Sequence, residues 1–366
     1  MLKHKIILTG GHAGTTALAT VEALRKQNIE WEIYWVGSKY PIEGKNIVSL
    51  EFKTLPKANV RCCNIISGKL QRRWTRYSLI SLLKIPLGFV HAFFIIVKIQ
   101  PKVIVSFGGF AAFPVVVVAW LIRIPILIHE QTAAAGLANR LSAPFANKVA
   151  ISRKESRKYF PENKVVLVGN PIQESFFRIK PKKRISKLPV IFITGGSRGS
   201  QFFNRVIFDC IDKIVRKYKV IHQCGDLDFK QAQELRKKVQ KKFKNRYIVY
   251  PSIPVDEMYK YFDKADIIIG RAGANTVSEI IAARRPAIFV PIPWVQNNEQ
   301  YKNASLAADS GLAIIVEQDK FTAKSLLKAI SLVKDNWKNM ASAKCNLRGL
   351  DRRASYQLAV MIQSLI

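Results

Sequence analysis

The sequence lacks the residue patterns that mark many nucleotide-dependent and metal-dependent enzymes. Its five cysteines include no CxxC pair, which argues against a zinc site and against a disulfide framework. No GxxxxGK[ST] occurs, and the first glycine turn, Gly10–Gly14, is not a GxGxxG fingerprint. P-loop hydrolysis and nicotinamide or flavin binding are therefore not expected. The glycine loops also contain no DxD-like acidic pair, so we expect neither a metal nor a cofactor.

Acidic residues are scarce as well. The chain has 25 Asp and Glu against 59 Lys and Arg, a formal net charge of +34. Such a field attracts polyanions, which indicates an anionic membrane surface, a phosphorylated substrate or nucleic acid as a partner. A generally basic proteome would explain part of the charge without any function. The basic residues are spread along the chain and form no aromatic-rich RNA motif, so no nucleic-acid partner is expected.

No uninterrupted hydrophobic run is long enough for an unambiguous membrane span. The segment Leu79–Ile99 has nearly the right length, but Lys84, His91 and Lys98 interrupt it. A basic and aromatic stretch, residues 69–77, precedes it. This combination predicts a peripheral element that seeks the membrane interface. A buried core helix and a true span are the alternatives.

The order of apolar runs and glycine turns predicts two domains. At 366 residues the chain exceeds the usual size of one hydrophobic core. Both halves open with a strand, a Gly-Gly turn and a helix, and the proline-rich basic segment Pro161–Pro189 separates them. We predict an α/β protein with two Rossmann-like, doubly wound parallel-sheet domains that face a cleft. The first comprises residues 1–170, joined by a C-terminal helix over 351–366, and the second comprises 171–350.

The segment Ile269–Ala304 is the strongest candidate for a ligand site. A buried strand precedes it, Gly270 and Gly273 lie in a loop, and a helix opens at Asn275. Unpaired amides at a helix start can hold phosphate, and Glu279, one turn into the helix, could accept a sugar hydroxyl. The pattern favours a nucleotide-sugar pocket. An ordinary βαβ unit with a polar loop is the alternative.

Further side chains near these turns could take part in chemistry. Ser197 and Thr276 add hydroxyls. Arg271 adds a guanidinium, a cation that can donate two parallel hydrogen bonds and could stabilise a departing diphosphate without metal. In the first half, His129 and Glu130 follow an apolar strand and could act as acid or base. The alternative for His129 is a hydrogen-bonded strand-end histidine. His12 is another plausible proton acceptor, or else a solvent-contacting turn residue.

Taken together, these segments resemble the peptidoglycan N-acetylglucosaminyltransferase family (MurG), which makes lipid II. The similar segments are GGHAGTTALA in the first glycine loop, VSFGGFAAFP and IPILIHEQTAAAGLANR in acceptor-side loops, VGNPI at a hinge, and ITGGSRGSQFFN, GRAGANTVSE and NNEQYKNA in donor-binding elements. The resemblance implies a GT-B arrangement at the cytoplasmic membrane face. It also implies inverting transfer of N-acetylglucosamine from UDP-N-acetylglucosamine to the C4 hydroxyl of lipid I, a polyprenyl-diphosphate-linked muramyl peptide.

The resemblance also implies roles for individual residues. Glu279 would hold the uridine ribose, Arg271 would lie near the nucleotide, and Gln300 would read the sugar. The diphosphate would be lined by Ser197, Ala274, Asn275 and Thr276, the uracil would be bordered by Met258, and the acceptor would be faced by His129, Glu130 and the first glycine loop with Gly11, His12 and Gly14.

Several positions depart from the family's pattern. Thr15 stands where the family usually has histidine, while His12 lies three residues earlier. Thr132 replaces an asparagine, Gln173 an arginine, and Glu299 the first glutamine of a pair. These positions are still expected to contact substrate. The general base remains open among His12, Glu130 and His129.

Other functions fit parts of the pattern. A second lipid glycosyltransferase, for example one that acts on diacylglycerol, and a nucleotide-sugar epimerase share the expected architecture. A basic RNA- or membrane-binding protein without catalysis would explain the charge.

Overall fold

A computed structural model describes residues 3–11, 13–40, 47–68, 78–196 and 199–366, with the backbone alone for 78–83 and 296. The predictions for His12, for Ser197 and for the basic stretch 69–77 lie outside these residues. The described chain forms two compact units. The first comprises Met1–Gln173 with Leu350–Ile366, and the second comprises Glu174–Gly349.

The first unit contains a seven-stranded parallel sheet in the order β3-β2-β1-β4-β5-β6-β7. Its strands are β1 (His4–Thr9), β2 (Trp31–Gly37), β3 (Arg61–Asn64), β4 (Val103–Ser106), β5 (Ile126–Glu130), β6 (Lys148–Ile151) and β7 (Val165–Leu167). Its helices in this part of the chain are α1 (Gly14–Leu24), α2 (Leu50–Thr54), α3 (Ser78–Ile99), α4 (Ala112–Leu121) and α5 (Leu137–Ser142).

The second unit repeats the architecture with a six-stranded parallel sheet in the order β10-β9-β8-β11-β12-β13. Its strands are β8 (Val190–Thr194), β9 (Lys219–Gln223), β10 (Tyr247–Tyr250), β11 (Ile267–Gly270), β12 (Ala287–Phe289) and β13 (Ala313–Ile315). The remaining helices are α6 (Glu174–Phe177), α7 (Gln201–Phe208), α8 (Ile211–Lys217), α9 (Phe229–Lys238), α10 (Met258–Lys264), α11 (Ala274–Ala283), α12 (Glu299–Ala308), α13 (Ala323–Asp335), α14 (Trp337–Ala341) and α15 (Leu347–Gln363).

The central strands explain why both sheets are covered on two faces. Every residue of β4, β5, β11 and β12 is buried, so neither side of these strands contacts water. Continuous apolar runs of this kind suit a parallel sheet between two layers of helices. The predicted pair of doubly wound parallel sheets is confirmed.

Strand order places the glycine turns at two equivalent positions. In the first sheet, β1 and β4 are neighbours from which the chain winds outward in opposite directions, and β8 and β11 are the corresponding pair in the second. Loops that leave the carboxyl ends of such a pair diverge, and the resulting crevice is where open α/β sheets bind ligands. The turns after β1, β4, β8 and β11 are those that the sequence singled out.

A buried ion pair holds the C-terminal segment in the first unit. The guanidinium of Arg153, just after β6, donates from Nη1 to Oδ1 of Asp351 at 2.6 Å and from Nη2 to Oδ2 at 2.8 Å. Asp351 Oδ1 also accepts the backbone amide of Asn170 at 2.8 Å. Because both partners are almost fully buried, these bonds compensate the loss of hydration that burial of two charges entails.

Among the described residues, no helix combines the length and apolar character needed to cross a bilayer.

Candidate active site

The two loops of the second unit's crevice approach each other closely. Gly270 at the end of β11 is in register with Thr194 at the end of β8, and a Cβ on Gly270 would lie 3.0 Å from the Thr194 carbonyl oxygen. Gly199 has a φ of 72°, and a Cβ there would lie 2.1 Å from the carbonyl oxygen of Cys224. Only glycine fits this position. The loop after β8 therefore runs directly along the end of β9.

Arg271 joins three segments at the carboxyl edge of the second sheet. Its Nη1 donates to the Val290 carbonyl oxygen at 2.9 Å, just beyond β12, and its Nη2 donates to Ser200 Oγ at 2.9 Å, just before α7. The guanidinium also lies over the ring of Phe203. Burial lowers the pKa of Arg271 to about 10, so the side chain remains a cation at neutral pH. It acts as a buried brace that places positive charge beside the loops.

The start of α11 favours an anion. The preceding residue, Gly273, is extended (φ −65°, ψ 148°) and, as a glycine, has no side chain that could cap the helix. The first turn, which includes Ala274, Asn275 and Thr276, contains no acidic residue. The positive end of the helix dipole is therefore not neutralised by a carboxylate of its own helix. Such a helix start suits the phosphates of a nucleotide.

Glu279 lies one turn after Thr276 in a dry environment. The residue is only 8% exposed, and among the described residues no donor reaches its carboxylate. Burial raises its pKa to about 7. A buried carboxyl that no described donor reaches is suited to accept hydrogen bonds from ligand hydroxyls, which would replace the hydrogen bonds to water that burial removed.

Helix α12 is attached to the same loops. The Oε1 atom of Gln300 accepts the Ile292 amide at 3.1 Å, and Asn303 Nδ2 donates to the Ala272 carbonyl at 3.3 Å. Glu299 is the first residue of α12 and is half-buried. Asn303 was not a sequence candidate, although it lies in the NNEQYKNA segment. These contacts place Gln300 and Glu299 next to the β12 edge of the crevice.

Met258 opens α10, the helix that follows β10 and precedes β11. Its side chain is half-buried. The structure thus brings Arg271, Ala274, Asn275, Thr276 and Glu279 into one loop and helix start, with Glu299 and Gln300 attached to it through α12. It does not attach Met258 to that group by any described hydrogen bond.

The first unit's crevice is built from two interlocked glycine turns. The amide of Gly11 donates to the Gly108 carbonyl at 2.9 Å, and a Cβ on Gly109 would lie 2.8 Å from the Gly11 nitrogen. Gly108 and Gly109 have φ values of 81° and 90°, which other residues rarely adopt. Gly11, in the turn after β1, therefore rests on the turn after β4.

A buried carboxylate organises the loop after β5. Oε1 of Glu130 accepts the Thr132 amide at 2.9 Å and the Thr132 hydroxyl at 2.8 Å. Its Oε2 accepts the Gly136 amide and Asn139 Nδ2, both at 2.9 Å. With four donors on two oxygens, the carboxylate has its usual acceptor positions occupied. Its contacts fit a loop organiser, and Thr132 is one of the groups that it holds.

His129 is wholly buried on the same strand. Its Nε2 lies 3.2 Å from the Gly169 carbonyl oxygen and 3.2 Å from Ser152 Oγ, and its ring packs edge-on against Phe107. Burial lowers its pKa to about 4, so the ring is neutral at physiological pH. Nδ1 is buried and has no described partner. These contacts are those of a hydrogen-bonded histidine near the end of a strand.

Helix α1 begins at Gly14, the last residue of the first glycine turn. The carboxylate of Glu51, from α2, accepts the amide of the preceding Ala13 at 2.9 Å, and Leu50 packs 3.2 Å from the Cβ position of Gly14. Thr15 is half-buried in the first turn. Glu51 thus secures the residue that follows His12. Its separation of 38 positions from Ala13 leaves no local signal in the sequence.

The side chain of Gln173 forms a hydrogen bond with helix α1. Its Nε2 donates to Glu22 Oε1 at 2.8 Å, and the residue is largely buried. This contact holds the last residue before the second unit against the first.

Known proteins resemble the chain over almost its whole length. The family model of the glycosyltransferase family 28 N-terminal domain matches residues 6–151, and that of the C-terminal domain matches residues 190–356. The UDP-N-acetylglucosamine–N-acetylmuramyl-(pentapeptide) pyrophosphoryl-undecaprenol N-acetylglucosamine transferase of Treponema denticola is 33% identical over 370 residues, which cover 94% of each chain.

Solved structures are similar as well. The crystal structure of Acinetobacter baumannii MurG has a TM-score of 0.68 at 25% identity and covers 99% of this chain and 100% of its own. A UDP-GlcNAc 2-epimerase from Neisseria meningitidis has a TM-score of 0.64 at 12% identity, with coverage of 99% and 100%. The second likeness concerns the fold alone.

Two Rossmann-like units with glycine turns at both switch points place the protein in the GT-B class of glycosyltransferases. Within this class, both domains of family 28 match the chain, and the Treponema denticola relative is 33% identical along nearly the full length. The chain belongs to glycosyltransferase family 28.

The raised pKa of Glu279 predicts a pH-dependent stability. A carboxyl whose folded-state pKa is about 7, against 4.5 for the free group, favours the fold while protonated, and that contribution is lost as pH rises through 7. Glu279→Gln removes the titration. We expect its free energy of unfolding, relative to the unmodified protein, to rise by up to about 3 kcal/mol from about pH 5 to about pH 8. Urea unfolding at both pH values measures this change. Glu162→Gln, at an exposed site, is the control, and parallel pH curves for Glu279→Gln and the unmodified protein would contradict the assignment.

Proposed function

We propose that the protein is an inverting glycosyltransferase that moves N-acetylglucosamine from UDP-N-acetylglucosamine to the C4 hydroxyl of lipid I and so forms lipid II for peptidoglycan. The observation that carries the proposal is the start of α11, whose first turn contains no acidic residue, with buried Glu279 one turn later, within a C-terminal domain of glycosyltransferase family 28. The name of the Treponema denticola relative states the same donor sugar and a pyrophosphoryl-undecaprenol acceptor.

The donor would bind at the carboxyl edge of the second sheet. Its diphosphate lies at the amides of Ala274, Asn275 and Thr276, joined by the hydroxyl of Ser197 from the turn after β8. The ribose hydroxyls donate to the carboxylate of Glu279. Negative charge develops on UDP as the glycosidic bond breaks, and a helix start with a braced cation stabilises it. Donors of this kind contribute about 3 kcal/mol each to the transition state.

The two ends of the donor would meet neighbouring elements. Met258 borders the uracil from the start of α10. The Oε1 atom of Gln300 accepts the Ile292 amide, and this bond fixes the side chain. Its Nε2 would then donate to a sugar hydroxyl. Glu299 precedes it in the first turn of α12, where its carboxylate can accept a second hydroxyl.

The acceptor would lie over the first unit's glycine turns, with Gly11, Gly14, Thr15, Thr132 and Gln173 nearest to it. A base removes the proton of the C4 hydroxyl as its oxygen attacks the anomeric carbon, the bond to the diphosphate breaks, and UDP leaves with the electron pair. Attack from the opposite side inverts the anomeric centre.

Three residues are candidates for the role of base, and the environments of two of them argue against that role. Glu130 has four protein donors on its carboxylate, and His129 is buried with a pKa of about 4. Both would have to leave these environments to reach a substrate. His12 follows Gly11, whose amide donates to the Gly108 carbonyl, and precedes Ala13, whose amide donates to Glu51. We assign the base to His12, with Glu130 and His129 as groups that position the acceptor loop.

The first unit also presents an apolar surface suited to a membrane. Leu87, Val90, Phe94 and Val97 recur at helical spacing along α3 and are exposed, Phe94 by 64%. The opposite face of α3, with Ala92 and Ile96, packs in the core. Trp120, Leu121 and Ile122 add exposed apolar side chains at the end of the adjacent α4. Exposed apolar side chains clustered on one helix face are typical of an interaction surface. We place it on the cytoplasmic face of the cell membrane, where the chain's positive charge is attracted to anionic lipid.

Product analysis tests the proposed reaction. The purified protein is mixed with UDP-N-acetylglucosamine or UDP-glucose and with a polyprenyl-diphosphate muramyl peptide or diacylglycerol, and the products are identified by mass. We expect N-acetylglucosamine on the muramyl lipid alone, and a donor KM raised about tenfold in Glu279→Gln because ribose hydroxyls bind a charged acceptor more strongly. An isomerised UDP-sugar without transfer would instead indicate an epimerase, and glucosylated diacylglycerol another lipid glycosyltransferase.

Substitution of the proposed base should separate chemistry from binding. His12→Ala should lower kcat at least about 100-fold, as expected for loss of a general base, while calorimetry shows unchanged affinity for UDP-N-acetylglucosamine. His4→Ala is the control, because His4 begins β1 at the amino edge of the sheet. Full activity of His12→Ala would rule out His12 and return the role to Glu130 or His129.

Vesicle binding tests the membrane surface. Phe94→Ser should weaken co-sedimentation with phosphatidylglycerol vesicles about tenfold or more, because insertion of one phenylalanine contributes roughly 2 kcal/mol. Leu227→Ser is the matched control, since Leu227 is equally exposed (66%) but belongs to the second unit. Equal binding by Phe94→Ser and Leu227→Ser would contradict this assignment.

A further inference from the structure

The second unit contains a cavity of about 730 Å³ that the proposed reaction does not use. It lies at the C-terminal end of α11, whereas the proposed diphosphate site is at the N-terminal end. Ten helical residues separate the two ends by about 15 Å. The cavity is lined by the segments 181–183 and 341–349, by α14, by Ile281 of α11 and Arg284 directly after it, and by Leu312, which directly precedes β13.

The lining is strongly basic. The charged side chains that line it are Lys182, Lys183, Arg284, Lys338, Lys344 and Arg348, and the lining, which consists of described residues, includes no aspartate or glutamate. An array of like charges repels itself, and the repulsion is relieved when an anion binds among them.

Two of these cations already have protein partners. Lys182 Nζ forms an ion pair with buried Asp266 at 2.9 Å, and Arg348 Nε donates to the Ala282 carbonyl at 3.0 Å. The other four are exposed, and within the described parts of the chain no carboxylate pairs with them: Lys183, Arg284, Lys338 and Lys344. Four cations are thus available to a ligand.

Helix ends account for only part of this charge. Arg284 directly follows α11, so it also neutralises the negative C-terminal end of that helix, whereas Lys338 is the second residue of the five-residue α14. Lys183 and Lys344 lie in loops, outside any helix. Their convergence on the same cavity has no such local explanation.

The floor of the cavity is rigid and apolar. Ile281, Leu312 and Trp337 are buried there, and the Trp337 indole is fixed by a 2.8 Å hydrogen bond from Nε1 to the Asp266 carbonyl. Ser342 and Asn346 add polar groups to the lining. A preformed floor with a cationic rim suits a compact anion that accepts several hydrogen bonds, and phosphate groups meet this requirement.

We propose that this cavity binds a phosphorylated anion with at least two negative charges, independently of the donor site. The lining includes Gly349, the last residue of the second unit, and the segment 181–183 follows the first crossing at Gln173 by only a few residues. A bound anion would therefore contact the chain eight residues after the first crossing and directly at the second.

Calorimetry with inorganic tripolyphosphate tests the site on the full chain. The cavity variant carries Lys183→Gln, Lys338→Gln and Lys344→Gln. Arg284 is left in place because it caps the C-terminal end of α11, so its substitution would also affect that helix end. The control variant carries Lys213→Gln, Lys217→Gln and Lys230→Gln, three exposed lysines that do not line the cavity. It has the same net charge.

We expect tripolyphosphate to bind the unmodified protein and the control variant alike, at least tenfold more weakly to the cavity variant, and equally well at saturating UDP. Equal weakening in both variants would reduce the effect to net charge and overturn the proposal, as would displacement by UDP. A lipid headgroup is the other source of the same chemistry. If tripolyphosphate does not bind, weaker sedimentation of the cavity variant than of the control variant with phosphatidic acid vesicles supports the site with a lipid ligand. Equal sedimentation overturns it.

Discussion

The buried guanidinium of Arg271 is the interaction on which the second unit's crevice depends. It bridges the Val290 carbonyl beyond β12 and the Ser200 hydroxyl before α7, while its own backbone begins the turn to α11. Three loops from three strands are thereby fixed at one sheet edge. A lysine could not reach both acceptors in one plane, since only the guanidinium has a planar fork of donors. The donor site that we propose is therefore a consequence of strand order and of one brace.

In the first unit, buried carboxylates hold the loops at the sheet edge, where the second unit has a buried cation. The Glu130 carboxylate gathers two amides, a hydroxyl and the Asn139 side chain at the end of β5, and Glu51 holds the amide before α1. In both units a buried ion with several hydrogen bonds organises loops that would otherwise be held only by their glycine turns. The hydrogen bonds that such ions make compensate part of the cost of their desolvation. Their role is positional, which leaves the chemistry to residues on the loops themselves.

Sequence alone predicts the fold and the location of the crevices because these follow from local patterns. Apolar runs that end in glycine turns predict parallel strands, and the doubling of this pattern predicts two domains. The contacts within each crevice are long-range, so they are not visible in the sequence. Glu51 and Ala13 are 38 positions apart, and Asn303 and Ala272 are 31 apart. The residue types at positions 129 and 130 suggest acid–base chemistry, but only the structure reveals that burial and four donors already engage them.

The most direct test of this account is amide hydrogen exchange with and without UDP-N-acetylglucosamine. Exchange reports which backbone amides become protected by a ligand. If the nucleotide binds where Arg271 fixes the loops, exchange should slow at residues 272–279 and 199–204, and in the turn before α12. Protection confined to the first unit, or to the loops at the opposite edge of the second sheet, would contradict the account.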